Sequence, residues 1–187
     1  APDFSVQTIY KGSMQDQIGD SQFRQLLKIL CALQSELANE IEDLPLTGNF
    51  IQNRNSMLNW CPIGRNALPR DRNQFKALDK LYNIRLTYIN NLKKQLIESD
   101  MDVTVKLGGN TSFDIYPEGW DKTYALNHFD KSEWEFWFVG DRCSIEGNDY
   151  EIFELLKKSG HSFETGSPEE TIEIIENYIL EELQYRR

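Results

Sequence analysis

Residues 108–122 read G-G-N-T-S-F-D-I-Y-P-E-G-W-D-K. Thr111, Phe113 and Ile115 alternate with Ser112, Asp114 and Tyr116, the period of two that marks a strand, and the strand leaves a Gly-Gly turn. Pro117, Glu118 and Gly119 stop it, and Asp121 then stands where it can cap a helix that begins at Lys122 and continues through Tyr124, Leu126 and Phe129. Residues two apart on a strand point the same way, so Ser112 and Asp114 deliver two oxygen donors from one face. Such a pair suits adjacent hydroxyls of a sugar, and a lysine opening the next element suits a phosphoryl group. The same residues equally suit an ordinary surface strand followed by a capped helix.

Toward the N-terminus, residues 103–107 read as the strand leading into this stretch. Residues 71–99 are helical in period, in two pieces: Phe75, Leu78, Leu81 and Tyr82, then Ile84, Leu86, Ile89, Leu92 and Leu96. Before them, residues 48–65 read G-N-F-I-Q-N-R-N-S-M-L-N-W-C-P-I-G-R, where the runs 50–54 and 57–61 flank Asn55 and Ser56 as a tight hairpin. Arg54, Arg65, Arg70 and Arg72 fall close together; guanidinium forks suit bidentate phosphate recognition, and arginines at strand ends are also common solvated charges. Phe23, Leu26, Leu27, Leu30, Leu33, Leu37 and Ile41 keep to one face of a long helix capped at Asp20 or Ser21 and stopped by Pro45. A polar linker precedes it, and residues 6–10 read as a short strand. Helix, hairpin, helices, hairpin in that order describe an α+β unit with an antiparallel sheet on one side and helices on the other.

Toward the C-terminus the pattern changes. Phe136, Trp137, Phe138 and Val139 form an unbroken apolar run, the mark of a strand buried on both faces of a parallel sheet. It ends in Gly140 and Asp141; a loop over 142–147 leads to Asn148 and Asp149 ahead of a helix over 150–158. Residues 161–165 read as another strand, and Ser167, Pro168, Glu169 and Glu170 open the last helix. Open α/β sheets place their chemistry at the carboxyl ends of parallel strands, and Asp141, Asn148 and Asp149 form an oxygen-rich set of the kind Mg²⁺ prefers. An Asp turn followed by an Asn helix cap would look the same.

With 187 residues, 40% of them hydrophobic and 12% aromatic, the chain can bury one good core or two small ones. No apolar run approaches bilayer length, and the N-terminal residues lack the regions of a signal peptide. Cys31, Cys61 and Cys143 are odd in number and at no metal-like spacing, which fits reduced thiols in a cytosol-like compartment. A formal charge of −10 argues against a general nucleic-acid or anionic-membrane surface, so a phosphorylated ligand is expected only where cations cluster.

Three stretches in register, F-I-Q-N-R-N-S-M-L-N-W-C-P-I-G-R, G-G-N-T-S-F-D-I-Y-P-E-G-W-D-K and G-D-R-C-S-I-E-G-N-D-Y-E-I-F, together resemble the eukaryotic phosphomannomutases of the haloacid dehalogenase superfamily, over almost the whole chain. The resemblance implies an α/β fold: a haloacid dehalogenase-like parallel-sheet core, present in its C-terminal part only, with an α+β cap domain of antiparallel sheet and helices. It divides the chain into the end of a first core segment (1–12), a sugar-phosphate-binding cap (13–118) and the C-terminal part of the core (119–187). The activity it implies is interconversion of mannose 6-phosphate and mannose 1-phosphate through a phospho-aspartate and a hexose 1,6-bisphosphate, with Mg²⁺, supplying mannose 1-phosphate for GDP-mannose. By the same resemblance Arg54, Arg65 and Arg72 hold the substrate's distal phosphate, and Ser112 and Asp114 bind sugar hydroxyls. Lys122 matches the lysine that steadies the phospho-aspartate, Asp141 a Mg²⁺ ligand, and Asn148 with Asp149 the loop that supports the metal. The partners implied are mannose phosphates with a hexose bisphosphate activator and a second copy of the chain docking through the cap, in the cytoplasm, with no nucleic acid and no membrane span.

The family opens with a strand ending in Asp-x-Asp, nucleophile and general acid/base, and this sequence contains no such motif. The expectation is an N-terminal segment upstream, or another chain that completes the sheet. Other departures are Asp3, Phe4 and Ser5 for Glu-Asn-Gly, Gln52 and Asn53 for Glu-Phe, Ser56 for Gly, Asn110 for Gln, Arg142 for Lys, and Ile145 and Glu146 for Pro-Gly. The alternative to the mutase is a catalytically inactive relative, a binding or scaffold subunit of a larger assembly that lacks the nucleophile. A superfamily phosphatase acting on other sugar phosphates is a third reading.

Overall fold

A computed structural model of the chain describes residues 10–145 and 147–185. The strand expected over 6–10, except Tyr10, and the departures at Asp3, Phe4, Ser5 and Glu146 lie outside the described residues. The chain divides into two compact units with the boundary between Glu118 and Gly119.

The first unit opens with α1 (Met14–Glu40), capped by Ser13, whose hydroxyl accepts from the Asp16 N–H at 3.2 Å. The polar linker expected before Ser21 is therefore partly helical. Met14 is fully buried and its N–H donates to the Asn55 carbonyl at 2.7 Å, which fixes the start. Gly19, at φ 80°, then interrupts the helical geometry where the sequence suggested a cap at Asp20 or Ser21. Phe23, Leu26, Leu30, Leu33 and Leu37 are the buried stripe that follows, and the helix ends at Glu40, short of Pro45.

Four antiparallel strands follow in the spatial order β1 (Ile51–Asn53), β2 (Leu58–Trp60), β4 (Ser112–Pro117), β3 (Val103–Gly108). Arg54 N–H donates to the Met57 carbonyl at 2.9 Å and Asn55 sits at φ 64°, so Asn55 and Ser56 form the tight turn the sequence suggested. The register pairs Leu58 with Ile115, Asn59 with Asp114 and Trp60 with Phe113. Alternation then puts Leu58, Trp60, Phe113 and Ile115 on one face, where they join α1, α2 (Pro69–Tyr82) and α3 (Ile84–Glu98) in a single core. At its centre the Trp60 ring stacks on Phe113 with centroids 4.7 Å apart, and its indole N–H donates to Gln34 Oε1 at 2.8 Å. The opposite face carries Gln52, Asn59, Asp114 and Lys106 side by side in one row across the sheet.

The second unit begins with a 3₁₀ helix (Lys122–His128) rather than the α-helix expected. Asp121 is the cap as expected, but its side chain accepts from both the N–H (2.7 Å) and the hydroxyl (2.6 Å) of Thr123, holding a tight first turn. β5 (Phe138–Gly140) and β6 (Ser162–Glu164) pair in parallel, joined through α4 (Tyr150–Lys157), and α5 (Pro168–Ile174), a π-helical turn (Ile175–Ile179) and α6 (Leu180–Tyr185) close the chain. The apolar run is not a strand buried on both faces: Phe138 and Val139 are half-buried and the strand starts only at Phe138. Phe136 instead packs on Phe129, with ring centroids 5.8 Å apart, and Trp137 lies against His161 at 4.0 Å, so half of the run packs sideways. Among the described residues β5 has one neighbouring strand.

Antiparallel sheet with helices in the first unit and a small parallel sheet in the second make the chain α/β, in keeping with a haloacid dehalogenase-like fold and its cap. No described helix is long and apolar enough to cross a membrane. The three cysteines are free thiols, Cys31 exposed and Cys61 and Cys143 buried.

Candidate functional site

In the first unit the site residues stand on β4, on the β1–β2 turn and on the segment between β2 and α2. Ser112, 4% exposed, donates its hydroxyl proton to the Gly108 carbonyl at 2.7 Å. Asp114 is half-buried; its Oδ1 accepts from Asn59 Nδ2 at 2.7 Å, and its Oδ2 has no partner among the described residues. Of the two oxygen donors read from the sequence, Asp114 is thus the accessible one, and Ser112 offers only its remaining lone pairs.

The arginines divide into two kinds. Arg72 is structural as it stands: Nε donates to the Ala67 carbonyl (3.1 Å), Nη1 to Thr111 Oγ1 (2.9 Å) and Nη2 to the Arg65 carbonyl (3.3 Å). It ties the backbone that bears Arg65 to the start of β4, next to Ser112. Arg70 pairs with Asp71 at 3.2 Å. Arg54 is exposed and donates Nε to Gln52 Oε1 at 3.1 Å, and Arg65 is half-buried, its guanidinium without a hydrogen bond among the described residues. Neither has a carboxylate partner among the described residues, in a chain with 30 acidic side chains. Two guanidiniums kept clear of carboxylates in so acidic a protein leave their charge for an outside anion.

In the second unit, Lys122 and Asp149 are brought together as an ion pair. Asp149 is 2% exposed; besides Lys122 it accepts from the Arg142 N–H through Oδ2 at 3.0 Å, so the carboxylate closes the loop after β5 on itself. Gly140 makes room for it: a Cβ there would lie 2.7 Å from Asp149 Oδ2. Asp141 points outward, its side chain 70% exposed and 3.8 Å from Arg142 Nε, and Asn148 is half-buried. The donor chemistry of Asp141 and Asn148 fits Mg²⁺, which takes hard oxygen ligands. Asp149, with both oxygens engaged inside the protein, fits the role of holding the loop rather than of a direct ligand, and no three His, Cys, Asp or Glu side chains among the described residues gather to hold a metal.

Cys143 lies in the same loop. Burial, then the Asp149, Glu164 and Asp141 carboxylates, push its thiol up from 9.0 to about 11. The folded chain therefore holds this proton more tightly than the unfolded one. Its contribution to stability is complete below pH 9 and is lost as pH rises toward about 11. Denaturant midpoints measured across that interval are expected to fall, with a smaller fall in Cys143→Ser; alkylation at neutral pH is expected to label Cys31 and spare Cys143.

Residues 4–181 match the eukaryotic phosphomannomutase family. The chain belongs to that family. It is 40% identical over 160 residues to the phosphomannomutase of Saccharomyces cerevisiae, covering 84% of this chain and 59% of that protein. The phosphomannomutase of Arabidopsis thaliana is 37% identical over 161 residues (86% and 61%), and that of Schizosaccharomyces pombe 38% over 157 (83% and 58%). The chain thus spans about three fifths of the length of the phosphomannomutases it matches.

Against that membership, three residues that the sequence reading passed over acquire weight: Thr111, which receives Arg72; Gly108, which receives the Ser112 hydroxyl; and Asn59, which holds Asp114. For Asn59 a signal was present in the sequence, since a polar residue between Leu58 and Trp60 on a strand marks the opposite face. For Gly108 and Thr111 none was, because their partners lie across a turn or on another element.

Proposed function

We propose that the first unit is the sugar-phosphate-binding cap of a phosphomannomutase and that the protein interconverts mannose 6-phosphate and mannose 1-phosphate. The observation that carries this reading is Arg54 and Arg65, without carboxylate partners among the described residues, in the same unit as a β4 carboxylate whose second oxygen is unpaired among those residues. Arginine forks neutralise a phosphate dianion at one end of the hexose, and Asp114 Oδ2 accepts from a ring hydroxyl. Arg72 keeps Arg65 and the start of β4 in place rather than spending its whole fork on the ligand.

In the second unit, Lys122 is the cation available to a phosphorylated carboxylate, and Asp149 fixes the ammonium at the mouth of the loop. Asp141 and Asn148 would hold Mg²⁺, whose charge, when bound, neutralises the transferring phosphoryl group. In the first unit, the apolar side chains left exposed where α2 gives way to α3, Leu81, Tyr82 and Leu86, support a homodimer formed through that unit; the location that goes with the proposed activity is the cytoplasm.

Arg65→Ala is the direct test of the phosphate half of the site. Losing a charge-assisted bond of about 1.5–3 kcal/mol is expected to weaken both mannose 1-phosphate and inorganic phosphate by about 10- to 150-fold, read by calorimetry. Unchanged affinity for both would overturn the assignment of Arg65.

A further inference from the structure

In the polar row on the outer face of the first unit's sheet, Asn59 is the anomalous member. It is 2% exposed and sits between Leu58 and Trp60. Its amide nitrogen donates to Asp114 Oδ1 at 2.7 Å and reaches the Phe113 carbonyl at 3.4 Å, while its amide oxygen is buried with no hydrogen-bond partner among the described residues. An unmatched buried polar atom costs about 1–3 kcal/mol, and native structures keep few. A leucine here would fill a similar volume without that cost, but it could not hold a carboxylate oxygen.

Gly108 is anomalous in a complementary way. Its φ is not in the left-handed region that calls for glycine, so backbone conformation does not explain the residue. Space does: a Cβ at 108 would lie 2.7 Å from Asp114 Cγ and Oδ1 and 2.8 Å from Oδ2. The Asp114 carboxylate occupies the volume that any other side chain would take. The Gly108 carbonyl also receives the Ser112 hydroxyl, so one residue sets both oxygen donors of β4.

We infer that Asn59 and Gly108 are positioning residues of the sugar site: Asn59 pins Oδ1 of Asp114, Gly108 makes room for the carboxylate, and Oδ2 is left as the acceptor for a hydroxyl of the hexose ring. This rests on reading Asp114 as a sugar ligand. A carboxylate free to rotate would accept from hydroxyls in several directions; one held at Oδ1 accepts in one direction, which makes Asn59 a determinant of which hexose phosphate fits rather than of how tightly phosphate is held.

The test is calorimetric titration of the purified chain with mannose 1-phosphate and, separately, with inorganic phosphate. The variants are Asp114→Ala, Asn59→Ala, the two combined, and Gly108→Ala. Each single variant is expected to weaken mannose 1-phosphate by about tenfold and leave inorganic phosphate unchanged. The double variant is expected to be no weaker than Asp114→Ala alone, because Asn59 acts only through Asp114. Circular dichroism melts establish that each variant is folded. Should Asn59→Ala fail to fold, Gly108→Ala decides the same question, since its added methyl displaces the end of a side chain rather than backbone. Full mannose 1-phosphate affinity in a folded Asn59→Ala or Gly108→Ala, with Asp114→Ala impaired, overturns the positioning role and leaves the site reading standing. Losses that simply add in the double variant overturn it too. No loss in Asp114→Ala overturns the site reading and this inference with it.

Discussion

Trp60→Ala is expected to destabilise the first unit by about 3–5 kcal/mol. The side chain is fully buried, stacks on Phe113 and meets Tyr88 edge-on at 6.1 Å, so truncation removes the middle of the layer between sheet and helices. It also leaves the Gln34 side-chain oxygen without its donor, although Gln34 Nε2 keeps the Pro62 carbonyl at 3.0 Å. Trp60→Phe separates the two effects: it keeps a ring and loses the N–H, and a smaller loss of about 1–3 kcal/mol is expected. Urea unfolding followed by far-ultraviolet circular dichroism measures both. Set against the roughly 5–15 kcal/mol that holds a domain together, the alanine variant loses much of its margin. Because Asn59 and Cys61 flank Trp60 on β2 and its connection, the same variant is expected to loosen the hold on Asp114. A loss below about 1 kcal/mol, the scale of a surface change, would contradict the packing described here.

The second large effect belongs to Lys122. Lys122→Met is expected to lower kcat of the protein from its native source by about 10²- to 10³-fold with little change in KM, because an ammonium aimed at a developing phosphoryl charge acts in the transition state more than in the ground state. The same substitution leaves the buried Asp149 carboxylate with only the Arg142 N–H, so a concurrent stability loss of about 1–3 kcal/mol is expected. Asp149→Asn distinguishes the two roles: it keeps a side chain of the same shape in the loop and removes the charge that holds the lysine. It is expected to reduce kcat less than Lys122→Met does. Equal turnover in wild type and Lys122→Met would remove Lys122 from the chemistry.

The sequence carried the first unit well, for identifiable reasons. The four strands and the hairpin turn at Asn55 and Ser56 were legible because alternation and turn chemistry are local properties. The break between α2 and α3 was legible for the same reason, and it falls at Asn83, which adopts φ 52°. The start of α1 was missed because Met14 is fixed by contacts distant in sequence, including the Asn55 carbonyl, which no window around residue 14 contains. Residues 136–139 misled for the opposite reason: apolar character says that a side chain is covered, not by what. Trp137 is covered by His161 and Phe136 by Phe129, so their aromatic character reports sideways packing rather than two sheet faces.

At the site, residue types were legible and commitments were not. The sequence offered Arg54, Arg65 and Arg72 as equals, and only their hydrogen bonds show that Arg72 braces the frame while Arg54 and Arg65 keep clear of carboxylates among the described residues. Likewise Asp141 and Asp149 read as one metal set, yet one points outward and the other is buried against Lys122. Departures from the family pattern fall on both kinds of position. Gln52 receives Arg54 and so enters the site's frame, while Asn53 ends β1 and Ser56 stands in the hairpin turn, both exposed.

The measurement that tests the central claim most directly is ³¹P NMR of the protein purified from its native source, incubated with mannose 6-phosphate, Mg²⁺ and a catalytic amount of hexose 1,6-bisphosphate. Growth of the mannose 1-phosphate resonance to an equilibrium mixture, without inorganic phosphate, is the predicted result. Accumulation of inorganic phosphate in its place would make the protein a sugar phosphatase, and spectra that stay constant while mannose phosphates still bind would make it a sugar-phosphate-binding relative without turnover; either would contradict the mutase.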